Sequence, residues 1–151
     1  MAVGDPIVAI GTAKTLEASG ASITAGSVVQ ADDANYVLSS DAANWPDAEF
    51  YLTAAFGTAP TEGRPINLLA RPLDIDGTND AEVPEANRPT QYIGSFIVNN
   101  VTTTQYMQLQ GVVAYDLPRN AAYYLHNGAD QTLSSGWKLV VVPRNVIPAT
   151  S

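Results

Sequence analysis

The chain has 151 residues, with 15 acidic against 7 basic side chains, a formal charge of −8 and no cysteine. That size fits one domain with a real core. The acidic balance argues against nucleic acid and anionic membrane surfaces, which need clustered Lys and Arg. The missing thiols exclude disulfides and cysteine-based metal or nucleophile chemistry. The opening "MAVGDPIVAIG" lacks a positive leader region, so no signal peptide is expected, and no apolar run reaches the ~20 residues of a membrane helix.

Residues 1–46 are rich in Ala, Ser and Gly and poor in large apolar side chains. They are expected to form an extended N-terminal arm with short pairings. "SITAGSVVQ" is its one strand candidate, with Ile23 and Val29 on one side of the pleat, and "LEAS" hints at a helical turn. The strand signal strengthens in residues 47–151. In "EFYLTAAFG", Phe50, Leu52, Ala54 and Phe56 alternate with Tyr51, Thr53 and Ala55, the period-2 pattern of a half-buried strand. "TAPTEGRP" turns the chain, and "INLLARPLDI" follows as a strand that Pro72 confines to an edge or bulge.

Next comes "DIDGTNDAEVPE", which holds Asp74, Asp76, Asp80, Glu82 and Glu85 in twelve residues. An EF-hand needs Gly at its sixth position, and counting from Asp74 puts Asn79 there. The stretch is therefore expected to be a charged interstrand loop, with Ca²⁺ on Asp74, Asp76 and Asp80 as the second reading. Arg71 and Arg88 at its ends could pair with its own carboxylates.

Strands follow in "QYIGSFIVNNV", in "TTQYMQLQGVVAYDLP", in "AAYYLHN" and in "WKLVVVPRNV". The second of these is expected to turn Met107, Leu109, Val113 and Tyr115 to one face and Gln108 and Gln110 to the other. The last turns Trp137, Leu139 and Val141 one way. Seven or eight strands without a helical period predict an all-β chain, a β-sandwich of jelly-roll rather than Ig-like type, with a closed barrel as the fallback.

Catalytic constellations are weak. His126 is the single histidine; a triad would need Ser134 or Ser135 as nucleophile and Asp116 or Asp130 as orienter, without a nucleophile-elbow motif. No enzyme activity and no cofactor are expected. The aromatic residues Trp45, Tyr51, Tyr92, Tyr106, Tyr115, Tyr123, Tyr124 and Trp137 could instead form a sugar platform, or belong to the core or an interface.

The segment from about Ala48 to Pro143 resembles small structural proteins encoded among the virion genes of tailed bacteriophages. The resemblance lies in "PDAEFYLTAAFGTAPTEGRPINLLARPLDIDGTNDAEVPEANRP", "YIGSFIVNNVTTTQ" and "YYLHNGADQTLSSGWKLVVVP". It implies a non-enzymatic virion component, most like a capsid decoration (cement) protein. Such a protein is made in the host cytoplasm and bridges neighbouring major capsid subunits, as a homo-oligomer, a trimer above all. An arm ordering on its neighbour would add main-chain hydrogen bonds. Partner contacts are expected at Val3, Ile7, Ile10, Ile23 and Val29 of the arm, and at Arg64, Arg71, Arg88 and Arg119. A tail- or fibre-associated carbohydrate-binding module is the alternative.

Overall fold

The computed structural model describes residues 7–41, 45–87 and 91–147. It is all-β, with two antiparallel sheets facing each other. The first sheet holds β1 (Ile7–Ile10), β2 (Lys14–Gly20), β4 (Asp47–Ala54), β7 (Gln105–Val113) and β9 (Trp137–Ile147). The second holds β3 (Val28–Val37), β5 (Pro65–Pro72), β6 (Gln91–Ile97) and β8 (Asn120–Asn127).

Strands β1 and β2 lie end to end along one side of β9. The first pairs with Arg144 to Ile147 and the second with Trp137 to Val141. Between them the Gly11 amide donates to the Pro143 carbonyl at 2.8 Å. On the other side of β9 come β4 and then β7, at the far edge. The second sheet runs β3-β8-β5-β6, so among the described residues each sheet ends in two edge strands. At one side of the sandwich β2 faces β3, and at the other β6 faces β7.

The inner faces meet in one apolar core. Phe50, Leu52, Trp137, Leu139 and Val141 come from the first sheet, and Ile66, Leu68, Phe96, Tyr123 and Leu125 from the second. The Phe50 and Tyr123 rings sit 5.3 Å apart at 45°, a tilted aromatic pair. Each such side chain stabilises the fold by about 1.5–3 kcal/mol through burial. The alternation expected in β4 and in the Trp137–Val141 run is seen, since Phe50, Leu52, Trp137, Leu139 and Val141 are all fully buried.

The N-terminal third differs from the expected arm. From Ile7 onward it belongs to both sheets, and Leu16, Ile23, Ala31 and Tyr36 are fully buried in the core. "LEAS" is not helical; it lies within β2. The reason is tertiary: β2 and β3 each present only a few large apolar residues, which suffice because a partner strand is already built beside them.

One face assignment in β7 is also corrected. Met107 and Leu109 point inward, but Val113 is 44% exposed and Val112 packs on the core instead. The pairing with β4 shifts between Ala48 and Phe50, where three steps along β7 match two along β4. Gly111, at φ +71°, supplies the extra residue. A β-bulge of this kind inverts the side-chain parity beyond it.

Candidate functional surface

The acidic stretch is a flap on the outer face of the second sheet. That face carries a small second cluster, Leu69, Ala122 and Tyr124, with Val28 and Leu73 packed against it. These side chains are 2–4% exposed although they point away from the main core. The flap is anchored beside them: Arg71 Nε donates to the Ala81 carbonyl at 2.6 Å, and its guanidinium lies 3.6 Å from Asp80. The Ala81 amide returns to the Pro72 carbonyl at 2.9 Å. A satellite cluster beneath a long loop is a common arrangement.

Within the flap the carboxylates serve backbone amides. Asp76 Oδ1 accepts from the Thr78 and Asn79 amides at 3.0 and 2.7 Å, and Oδ2 from Asn79 Nδ2 at 2.6 Å. The Asn79 side chain above all, then these amides, hold the Asp76 carboxyl below the usual range. Asp80 Oδ1 accepts from the Asp74 amide at 3.2 Å, and Asp74 Oδ2 from Asn120 Nδ2 at 3.3 Å. Asp74, at φ +53°, and Gly77, at φ +88°, take the left-handed backbone of the tight turn. Their oxygens do not converge as the Ca²⁺ reading of Asp74, Asp76 and Asp80 requires.

Among the described residues, the carboxylates that do converge are Glu17, Asp32 and Asp33. Sequence spacing did not reveal this group, because β2 and β3 lie in different sheets. Glu17 is buried, and its Oε1 and Oε2 accept from the Ser19 and Asp32 amides at 3.0 and 3.1 Å. Asp33 Oδ2 accepts from the Ala18 amide at 2.6 Å. The Glu17 and Asp33 carboxylates thus tie the β2 edge to the β3 edge through the Asp32 and Ala18 amides.

His126 stands in a hydrogen-bond ladder across the second sheet. Asn67 Nδ2 lies 3.1 Å from His126 Nδ1, and Ser95 Oγ donates to Asn67 Oδ1 at 2.6 Å. Tyr92 and Ser95 hydroxyls are 2.7 Å apart. Of the triad candidates, Asp130 is engaged by a different partner, accepting from the Thr61 amide and hydroxyl at 2.9 and 2.7 Å. Thr61, chiefly through its hydroxyl, lowers the Asp130 pKa.

The expected partner residues separate into groups. Val3 and Arg88 lie outside the described residues, as does the Ile7 side chain. Ile23 is wholly buried, bridging Leu133, and Val29 is partly buried against the core. Arg71 is spent on the flap. Ile10 is 70% exposed, and Arg64 and Arg119 are exposed. Arg119 rims an open depression of about 820 Å³ between the flap and the residues around Leu117.

Compared with protein-family models, with curated proteins and with solved structures, the chain matches none.

The aromatic set also divides. Tyr123, Tyr124 and Trp137 are buried, with Trp137 Nε1 donating to the Ala21 carbonyl at 2.7 Å. Tyr51 donates to Glu49 Oε2 at 2.5 Å, and this hydrogen bond is the main cause of its raised pKa. Gln108 Nε2 reaches the Tyr51 hydroxyl at 2.9 Å, and Arg144 pairs with Glu49. Tyr92 and Tyr106 are well exposed, but they stand in different sheets.

Proposed function

We propose that this chain is a non-enzymatic virion structural protein of a tailed bacteriophage, decorating the capsid and stabilising it by bridging neighbouring major capsid subunits. The resemblance of residues 48–143 to such proteins supports the reading, and so does the architecture. We take the sandwich to be a jelly roll. In support, the orders β1/β2-β9-β4-β7 and β3-β8-β5-β6 place strands far apart in sequence side by side, as the two interlocked Greek keys of that fold do.

The observation that carries the reading furthest is the outermost strand β1. It pairs only with the far end of β9, and it leaves Val8 and Ile10 47% and 70% exposed. An apolar edge strand at one end of a sandwich is suited to strand addition on a neighbouring subunit. The contacting segment is therefore shorter than residues 1–46: β2 and β3 hold the core together, while β1 and the residues before it are the part able to engage the capsid. Repetition over the particle turns weak single contacts into firm attachment.

Deleting residues 2–10 tests this. The truncated protein keeps its β-type circular dichroism but fails to sediment with capsids lacking the decoration protein. Undiminished capsid retention would reject the role of β1.

A further inference from the structure

The four sheet edges are unequal. On the β2–β3 side, β2 is bulged twice, and Glu17 and Asp33 occupy edge amides. Asp32 lies beside Asp33 in β3, where the pairing register shifts between Ala31 and Tyr36. Bulges and charges are the usual means of blocking edge-to-edge pairing. The β6–β7 side has none of these charges. From Gln91 to Val113 the sequence contains no Asp, Glu, Lys, Arg or His and no Pro. Tyr92, Ile97, Val101, Tyr106 and Val113 of this stretch are all exposed large apolar residues, with Tyr106 at 83%.

The two edges are closely packed against each other. Gly94 of β6 lies directly under Leu109 of β7, where a Cβ would come within 2.6 Å of Leu109 Cδ2. The stretch Gln105–Leu109 of β7 pairs in regular register, and the shift falls between Leu109 and Val112, where Gly111 sits at φ +71°. Tyr106, Gln108 and Gln110 all point outward.

We propose that the β6–β7 side is the interface with a second copy of this chain, formed by antiparallel pairing of the two β7 strands about a two-fold axis at Gln108. Two molecules of charge −8 repel wherever carboxylates face each other. This uncharged side is where they meet without that cost, whereas a basic partner would be drawn to the acidic faces instead. Antiparallel self-pairing is inherently two-fold, so one strand supplies both halves of the contact. Centring on Gln108 sets Tyr106 of each copy opposite Gln110 of the other and joins the two first sheets into one. The pairing is two-fold, unlike the three-fold arrangement that the virion resemblance implies, and it does not depend on the capsid reading.

The test is the mass of the purified full chain by sedimentation velocity over the micromolar range. The expected result is twice the 15.9 kDa chain. Changing Tyr106→Lys together with Gln110→Lys sets lysines opposite lysines, and like charges directly across strands are destabilising. Association then weakens about tenfold or more, and the variant sediments as a monomer. Mixing it with the Tyr106→Glu, Gln110→Glu variant restores the dimer, since each lysine then meets a glutamate. A wild-type monomer throughout, a mass of three chains, or a lysine variant that still dimerises overturns the proposal. Should a variant fail to fold, amide exchange of the wild type decides. Protection of Gln105–Gln110 that rises with concentration supports the pairing, and protection independent of concentration rejects it.

Discussion

Asn127 is the polar residue on which the loops at one end of the sandwich depend. It is fully buried, yet Nδ2 donates to the Ile23 and Gln131 carbonyls at 2.8 and 2.9 Å, and Oδ1 accepts from the Ala129 amide at 3.0 Å. A buried amide is tolerated when it is satisfied in this way. Replacing Asn127 by Ala leaves the Ala129 amide and the Gln131 carbonyl without this partner, while the Ile23 carbonyl keeps the Leu133 amide. The expected cost is about 2–4 kcal/mol, read as a lower urea midpoint with the slope unchanged. Gln105 acts similarly in the β6–β7 turn at the same end, where Oε1 accepts from the Asn99 amide at 2.8 Å. Neither role was legible in the sequence, where Asn127 is simply the last residue of the strand candidate "AAYYLHN". The carbonyls that Asn127 satisfies come from residues 4 and 104 positions away. Local pattern reading sees a strand end, not the distant acceptors it serves.

Among the elements, the strongly alternating strands were legible and the weakly apolar ones were not. β4 and the first half of β9 fill the inner face of the first sheet with large side chains, so their period survives in the sequence. β2 places the buried Glu17 next to the buried Leu16 and has two register shifts. Its pattern therefore contains no alternation to find. The acidic flap was correctly expected to be a charged connection between strands, but its apolar underside was hidden in Leu73 and in residues of β5 and β8. Arg71→Ala removes the bond to the Ala81 carbonyl and the ion pair with Asp80. The outcome expected is a loss of about 1–2 kcal/mol, with limited proteolysis cutting first within residues 73–87 while the rest of the chain stays protected. Cleavage no faster than in the wild type would show that the flap is held by its packing alone.

For the molecule as a whole, the sandwich contains two tyrosine hydroxyls, on Tyr36 and Tyr123, that have no hydrogen-bond partner. Burial, reinforced by the Asp41 carboxylate, pushes Tyr36 up to about 12. Burial, with a smaller contribution from Tyr36, pushes Tyr123 upward as well. Both groups stay neutral in the fold while their unfolded counterparts ionise near the ordinary value of 10.0. Below that value their contribution to stability is fully present; it is lost as the pH rises from about 10 towards 12. The melting temperature is thus expected to fall steeply over that range. Tyr123→Phe should flatten the fall and, by removing an unsatisfied buried hydroxyl, raise stability at neutral pH by about 1 kcal/mol or more. A lower melting temperature at neutral pH would instead reveal a water bridging the two hydroxyls.

Composition and period were enough to determine an all-β chain without cysteine chemistry, the main core strands after residue 47, and the uncharged stretch from Gln91 to Val113, because each depends on side chains close together in sequence. Only the tertiary structure decided that the N-terminal third is built into both sheets, that Glu17, Asp32 and Asp33 meet, and that the uncharged stretch supplies two adjacent edge strands. Those outcomes depend on which strands become neighbours. That choice is made by the burial of one sheet against the other, across separations of up to a hundred residues and more, and no local pattern records it.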